Sequence, residues 1–288
     1  MKQRVISGVI IAAMIVVFGL LGGYPLAALL LVCSLIGYRE LVSAVGIEGK
    51  EEKIGALAVA GYAMTILLYG GLMIMQARWG TDSKQMVSAS NFYLLAVIIV
   101  SFLVMMTVYV FRFPKYRSEQ VMSGYFCFIY APVLLSFVYQ ARMLSYGIFM
   151  YALIFVCSSV CDTCALAAGM MFGKHKMAPV LSPKKTIEGA VGGVAGSAVC
   201  SVILSFVVKA FDPEADLLIQ FLIIGVLGAL ISMTGDLAAS AIKRNHEIKD
   251  YGNLIPGHGG IMDRFDSIIF TAPLIYILGV LLLGTAAL

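Results

Sequence analysis

Charge is scarce in this sequence. Asp, Glu, Lys and Arg together make up 12% of its 288 residues, about half the share of an ordinary soluble domain. Tryptophan occurs once, histidine three times and proline eight times. So little charge, beside 61% hydrophobic residues and a mean hydropathy of +0.96, excludes a soluble enzyme and a disordered chain. It also excludes a nucleic-acid module, which needs a basic surface. A disulfide scaffold is excluded too. Cys33, Cys127, Cys157, Cys161, Cys164 and Cys200 all lie in apolar stretches, where a thiol packs as a small hydrophobe. What is there is apolar sequence in long runs, which predicts an all-α, polytopic integral membrane protein. About nine transmembrane helices of about 20 residues would take most of the chain, leaving no separate globular domain of ordinary size.

Gly, Pro and charge clusters divide the runs. The predicted spans are 5–21, 25–45, 54–76, 92–111, 121–140, 145–172, 187–210, 217–243 and 263–286. The opening Met1-Lys2-Gln3-Arg4 and its apolar run resemble a signal peptide, but no small-residue cleavage site follows, so the run reads as a retained first helix. Nine spans put the termini on opposite sides. With the N-terminus cytoplasmic, all of the twenty Lys and Arg residues except Arg78, Lys84, Arg142 and Lys209 fall inside, as the positive-inside rule requires. That asymmetry accounts for the net charge of +4. The basic face would draw anionic lipid and nucleotide.

Ionisable residues within spans are costly and mark function by default. Asp162 lies in the sixth span, on the face of Ser158, Ser159 and Gly169. In the eighth span Ser232, Asp236, Ser240 and Lys243 form one polar stripe on an otherwise apolar helix, which must face protein or a wet cavity. Beyond it, Lys243-Arg244-Asn245-His246-Glu247-Ile248-Lys249-Asp250 runs on to Gly257-His258-Gly259-Gly260-Ile261-Met262-Asp263-Arg264-Phe265-Asp266. Asp263 and Asp266 share a face at a helix start, and carboxylates so spaced suit a hard cation such as Mg²⁺. The glycines let backbone approach a ligand. A cytoplasmic loop from Gly173-Lys174-His175-Lys176 to Ser182-Pro183-Lys184-Lys185-Thr186-Ile187-Glu188-Gly189 adds cations, and Ser182 or Thr186 is placed to cap the next helix. The ordinary alternatives are a serine-satisfied helix contact at Asp162, a helix-locking Asp236–Lys243 pair, a solvated loop, and plain positive-inside charge. Residues 1–140 hold few buried polar residues and read as a transmembrane scaffold, with 141–288 as the catalytic region.

Other patterns carry less. His246-Glu247 is not followed by a second histidine, so no zinc-protease motif exists. Cys161-Asp162-Thr163-Cys164 has no second cysteine pair, and Gly189/Gly193 and Gly192/Gly196 are packing pairs first. Carboxylates and cations beside a bilayer suit a reaction joining a nucleoside triphosphate to a lipid. Metal would orient the triphosphate and basic residues would stabilise departing pyrophosphate. A phosphate nucleophile is already anionic and needs no strong base.

From Ser240 to Asp266 the sequence reads S-A-I-K-R-N-H-E-I-K-D-Y-G-N-L-I-P-G-H-G-G-I-M-D-R-F-D. This resembles the signature of the phosphatidate cytidylyltransferase (CDP-diacylglycerol synthase) family, with Gly235-Asp236 and the upstream run from Asp162 to Gly189 also in keeping. Cys164, Ala165 and Leu166 depart from the family's usual small, Ala, aromatic run after Asp-Thr, and Met170 stands where a basic residue is common. The resemblance covers about 150–288 in detail. It implies CTP plus phosphatidate giving CDP-diacylglycerol and pyrophosphate, with Mg²⁺ as cofactor and room for a second cation. It implies a homodimer in a lipid membrane with no nucleic-acid partner. Carried onto this chain, it makes Asp236, Asp263 and Asp266 metal ligands and gives phosphate to Lys243, Arg244 and Lys249. Asp250 joins these as a catalytic residue. Asp162, Ser182, Lys184, Lys185, Glu188, Ser240 and Arg264 would bind substrate. His258 would orient a carboxylate or contact phosphate. A compact N-terminus points to a bacterial plasma membrane. Two rivals remain: an ion-coupled transporter, which would want internal repeats that the halves lack, and a related transferase acting on another lipid.

Overall fold

The computed structural model describes residues 2–47, 55–80, 84–255 and 259–283, with side chains from Ser7 onward. Pro256, Gly257 and His258, and the basic Lys50 and Lys53, lie outside the described residues, as do the Lys2 and Arg4 side chains. Among the described residues nine helices follow one another: α1 Lys2–Leu21, α2 Gly23–Ala44, α3 Ala56–Trp79, α4 Lys84–Phe111, α5 Ser118–Arg142, α6 Gly147–Phe172, α7 Ile187–Phe211, α8 Leu218–Asn245 and α9 Met262–Leu283. Eight of them, α2 to α9, are 22 to 28 residues long and apolar enough to cross a membrane. At 1.5 Å per residue these reach roughly 33–42 Å, enough for a hydrocarbon core of about 30 Å. This is an all-α polytopic membrane protein.

The helices belong to two compact units. The first comprises residues 1–140 with 248–264, and the second 141–247 with the remainder from 265. In the first unit α2 packs on α3, and α3 on α4. Here the expectation of few buried polar residues is corrected. Ser34, Glu40, Thr65, Ser90, Ser101, Ser136 and Gln140 are all buried. Several are satisfied locally in the way lipid demands: Thr65 Oγ1 donates to Gly61 O at 2.8 Å, and Ser34 Oγ and Tyr69 Oη share a hydrogen bond of 2.8 Å.

In the second unit α7 packs against both α6 and α8. The contacts are close because small residues face one another. The buried thiols of Cys157 and Cys161 stand opposite glycines, and a Cβ on Gly193 would lie 2.9 Å from both Cys161 O and Cys161 Sγ. Neither α5 nor α6 is uniformly α-helical. Ile129–Val133, around Pro132, and Val156–Val160 form π turns. A π turn disturbs the carbonyl ladder, and Ser197 Oγ on α7 answers by donating to Val156 O at 3.2 Å. Asp162 follows one turn later. Gly193→Val is expected to lower the thermal stability of the detergent-solubilised protein by about 1–3 kcal/mol through overpacking. Gly70→Ala, where nothing lies within 4 Å of the added carbon, should be neutral or stabilising by up to about 1 kcal/mol. Circular dichroism melts check both.

The segment between α6 and α7, expected as a plain loop, forms an antiparallel hairpin. Strand β1 Lys176–Ala178 pairs with β2 Ser182–Thr186 in the register Lys176↔Thr186 and Ala178↔Ser182. Of the two candidate caps for α7 the structure selects Thr186, whose Oγ1 accepts from Gly189 N at 3.2 Å. Ser182 lies in β2, four residues too early to reach the helix's first amides, and is not a cap.

Candidate active site

The second unit gathers five of the expected residues into one polar cluster. Asp236, in the C-terminal half of α8, pairs through Oδ2 with Nζ of Lys185 from β2. Both side chains are 25% exposed. The Lys185 Nζ atom itself is buried and has no hydrogen-bond acceptor aligned with it, so the pair is a point-charge contact. Asp162 on α6 lies within the electrostatic reach of Lys185 and Asp236. Asp266 on α9 lies within that of Asp236, Lys243 and Asp162. Three carboxylates and the Lys243 ammonium on otherwise apolar helices thus share one region with the Lys185 ammonium of β2. The serines beside Asp162 do not satisfy it: Ser158 Oγ donates back to Ile154 O at 2.9 Å. Ser232, at the head of the α8 stripe, has a buried hydroxyl without a hydrogen-bond partner, and Ser240 is half-buried further along.

The remaining residues of that unit are placed differently. Glu188 closes the hairpin. Its Oε2 accepts from the Lys174 and His175 amides at 3.1 and 3.2 Å, and its Oε1 lies 2.6 Å from His175 Nδ1. Lys184 and Arg244 are exposed, and Ser182 is half-buried.

Asp263 belongs to the first unit. It is buried, at 8% exposure, and its Oδ2 accepts from Tyr251 N at 2.8 Å and Gly260 N at 3.0 Å. Asp263 therefore laces together the ends of the Gly-rich loop. Lys249, Asp250 and Arg264 of that unit are exposed. A buried acid that sequence reasoning missed is Glu40 of α2, which accepts from the amides of Ile261 and Met262. The signal was present: an acid in an apolar span. It stands beside Arg39 near the end of the span, where an acid does not stand out from the flanking charge. Among the described residues no three His, Cys, Asp or Glu side chains gather closely enough to enclose a metal ion by themselves.

A bundle of apolar membrane helices with a carboxylate–lysine cluster at one polar stripe defines a polytopic membrane protein whose intramembrane charges mark its working site. Comparison with known proteins makes this specific. The chain matches the cytidylyltransferase family over residues 2–282 and belongs to it; it is a nucleotidyltransferase. It is similar to the phosphatidate cytidylyltransferase of Bacillus subtilis (strain 168), 29% identical over 282 residues, which covers 96% of this chain and 97% of the relative. The phosphatidate cytidylyltransferase of Staphylococcus epidermidis (strain ATCC 12228) is 31% identical over 280 residues, 96% of this chain and 98% of the relative. That of Staphylococcus aureus (strain COL) is 31% identical over 282 residues, with the same coverage of both chains.

Proposed function

We propose that this chain transfers CMP from CTP to phosphatidate, giving CDP-diacylglycerol and pyrophosphate. The observation that carries the reading is the family match along nearly the whole chain, joined to a cluster of carboxylates and lysines on its membrane helices and the hairpin between α6 and α7. In the reaction a phosphatidate oxygen attacks the α-phosphorus of CTP. A new P–O bond forms as the bond from the α-phosphorus to the bridging oxygen breaks, and pyrophosphate leaves. The nucleophile is already an anion, so no proton has to be removed by a base. The protein's task is to bring two polyanions together and to take up charge on the leaving group. Lys185 and Lys243 are the cations nearest the carboxylates and would meet phosphate oxygens. Arg244, Lys249, Lys184 and Arg264, all exposed, would receive the triphosphate. Ser182, Ser240, Glu188 and Asp250 would complete the substrate contacts.

The donor set fits Mg²⁺. It is all oxygen, and Mg²⁺ takes one or two carboxylates and fills its shell with phosphate and water rather than entering a protein cage. Asp236 and Asp266 would hold the ion, with Asp162 beside them; a ligand role for Asp263 would fall to Oδ1, since Oδ2 already accepts two amides. When bound, the ion would neutralise triphosphate charge and orient the phosphates for in-line displacement. Bacterial relatives and the distribution of basic residues support a bacterial plasma membrane with the N-terminus in the cytoplasm. The homodimer implied by the resemblance completes the reading, and light scattering of the detergent-solubilised protein tests it.

The test of the reaction is turnover by purified protein in detergent with phosphatidate, Mg²⁺ and each of the four ribonucleoside triphosphates. The expected result is CDP-lipid and pyrophosphate with CTP, and none with ATP. Equal use of all four nucleotides, or no product from folded protein, would overturn the assignment. Product formed only with another acceptor lipid would keep the chemistry and replace the substrate.

A further inference from the structure

Helix α2 carries a single acid, Glu40, at 9% exposure. It lies near the C-terminal end of its own helix, where the helix dipole disfavours a carboxylate. Among the described residues no Lys or Arg pairs with it. Its partners are far along the chain. Oε1 accepts from Ile261 N at 3.0 Å and Oε2 from Met262 N at 2.9 Å. These amides open α9 and have no acceptor within their own helix. The residue before Met262 is Ile261, which has no side-chain oxygen with which to cap. The cap is supplied instead from α2, in bidentate form, by a group whose burial would be costly without such donors.

The loop is shaped around this carboxylate. A Cβ on either Gly252 or Gly260 would collide with Glu40 Oε1. Gly260 is therefore held from two sides, its N–H on Asp263 Oδ2 at 3.0 Å and its α-carbon against Glu40. Asp263 is the second residue of the helix that Glu40 caps. Displacing the cap displaces Asp263.

We infer that Glu40 is a positioning residue for the transfer reaction: it clamps the first turn of α9 and so sets the place of Asp263. This rests on the reaction proposed above. Glu40→Gln is the direct test, because its amide carbonyl can accept one of the two N–H groups and its NH₂ opposes the other. Full-length protein in detergent is examined by hydrogen exchange and steady-state kinetics. Exchange at Ile261 and Met262 should rise at least about tenfold, with α3 and α4 unchanged. Turnover per folded molecule should fall about 10–100-fold, the scale of a misplaced catalytic group, while KM for CTP and phosphatidate stays within roughly twofold. Gly260→Ala presses on the same carboxylate with the acid intact and should give the same kinetic signature, which keeps the test open if Glu40→Gln folds poorly. Wild-type turnover with protection lost would overturn the inference. So would a loss of activity matched by a loss of folded protein, with exchange rising throughout the chain. If the wild-type chain makes no CDP-lipid, the reaction reading fails by itself, and exchange at Ile261 and Met262 still reports whether the clamp exists.

Discussion

Asp236→Asn is expected to stop the proposed CDP-diacylglycerol formation, with turnover lower by about 1,000-fold or more, while the helical bundle stays folded. The expected size follows from what the carboxylate does. It is the partner of Lys185 and the acid to which both Asp162 and Asp266 are electrostatically tied. Losing its charge would remove the cation ligand proposed above and also change the field at the two lysines that would receive phosphate. Losing one preorganised electrostatic contact at a reacting centre alone costs about 100–1,000-fold, and this change removes two. The effect on stability is smaller. Breaking a buried ion pair costs about 3–5 kcal/mol; the side chains here are 25% exposed but the Lys185 Nζ atom is buried, which puts the loss at the lower end, about 3 kcal/mol. A double change, Asp236→Asn with Lys185→Met, separates the two effects. It should recover the lost stability, since no ammonium is left unpaired, and recover no turnover. Melting curves and pyrophosphate release on the same preparations check this. Turnover near wild type in Asp236→Asn would remove the cation assignment.

How much could be read beforehand depends on the range over which each feature is determined. The spans were legible because a membrane helix announces itself locally, through an apolar run long enough to cross and a break of Gly, Pro or charge at each end. Among the described residues all nine predicted runs are helical, and their edges move by a few residues, most at α4, which starts at Lys84 rather than 92. The start of α9 at Met262, which sets Asp263 and Asp266 one turn apart, was legible for the same reason. Other features depend on partners distant in sequence. The hairpin of residues 176–186 has no apolar alternation to betray it; Glu188 ties its base to the amides of Lys174 and His175. The π turn at Val156–Val160 contains no proline, and the serine that answers it, Ser197, is 41 positions away. Glu40 meets its amides 221 and 222 positions on. The polar stripe on α8 could be seen from the spacing of Ser232, Asp236, Ser240 and Lys243. That Asp236 takes Lys185 as its partner, rather than Lys243 on its own helix, could not.

Asp263→Asn should abolish turnover and leave the loop intact, the reverse of what a structural lacing residue alone would give. Asp263 Oδ2 accepts from Tyr251 N and Gly260 N. An asparagine turned so that its carbonyl oxygen takes that position can accept both, because one oxygen carries two lone pairs. The fold of the loop therefore survives the substitution, and hydrogen exchange at Tyr251 and Gly260 should stay close to wild type. What is lost is the negative charge one turn before Asp266, in the first turn of α9, and with it the oxygen that a ligand role requires. Turnover should drop at least about 100-fold. Asp263→Ala makes the contrast. It removes the acceptor as well and leaves the buried Gly260 amide unsatisfied, at a cost of about 1–3 kcal/mol. Exchange at Tyr251 and Gly260 should then rise together with the loss of activity. If Asp263→Asn turns over normally with its loop protected, Asp263 only laces the loop, and the charge required for transfer lies with Asp236 and Asp266. If instead Asp263→Asn loses protection as Asp263→Ala does, the charge is what holds the loop. The activity loss would then be structural rather than chemical.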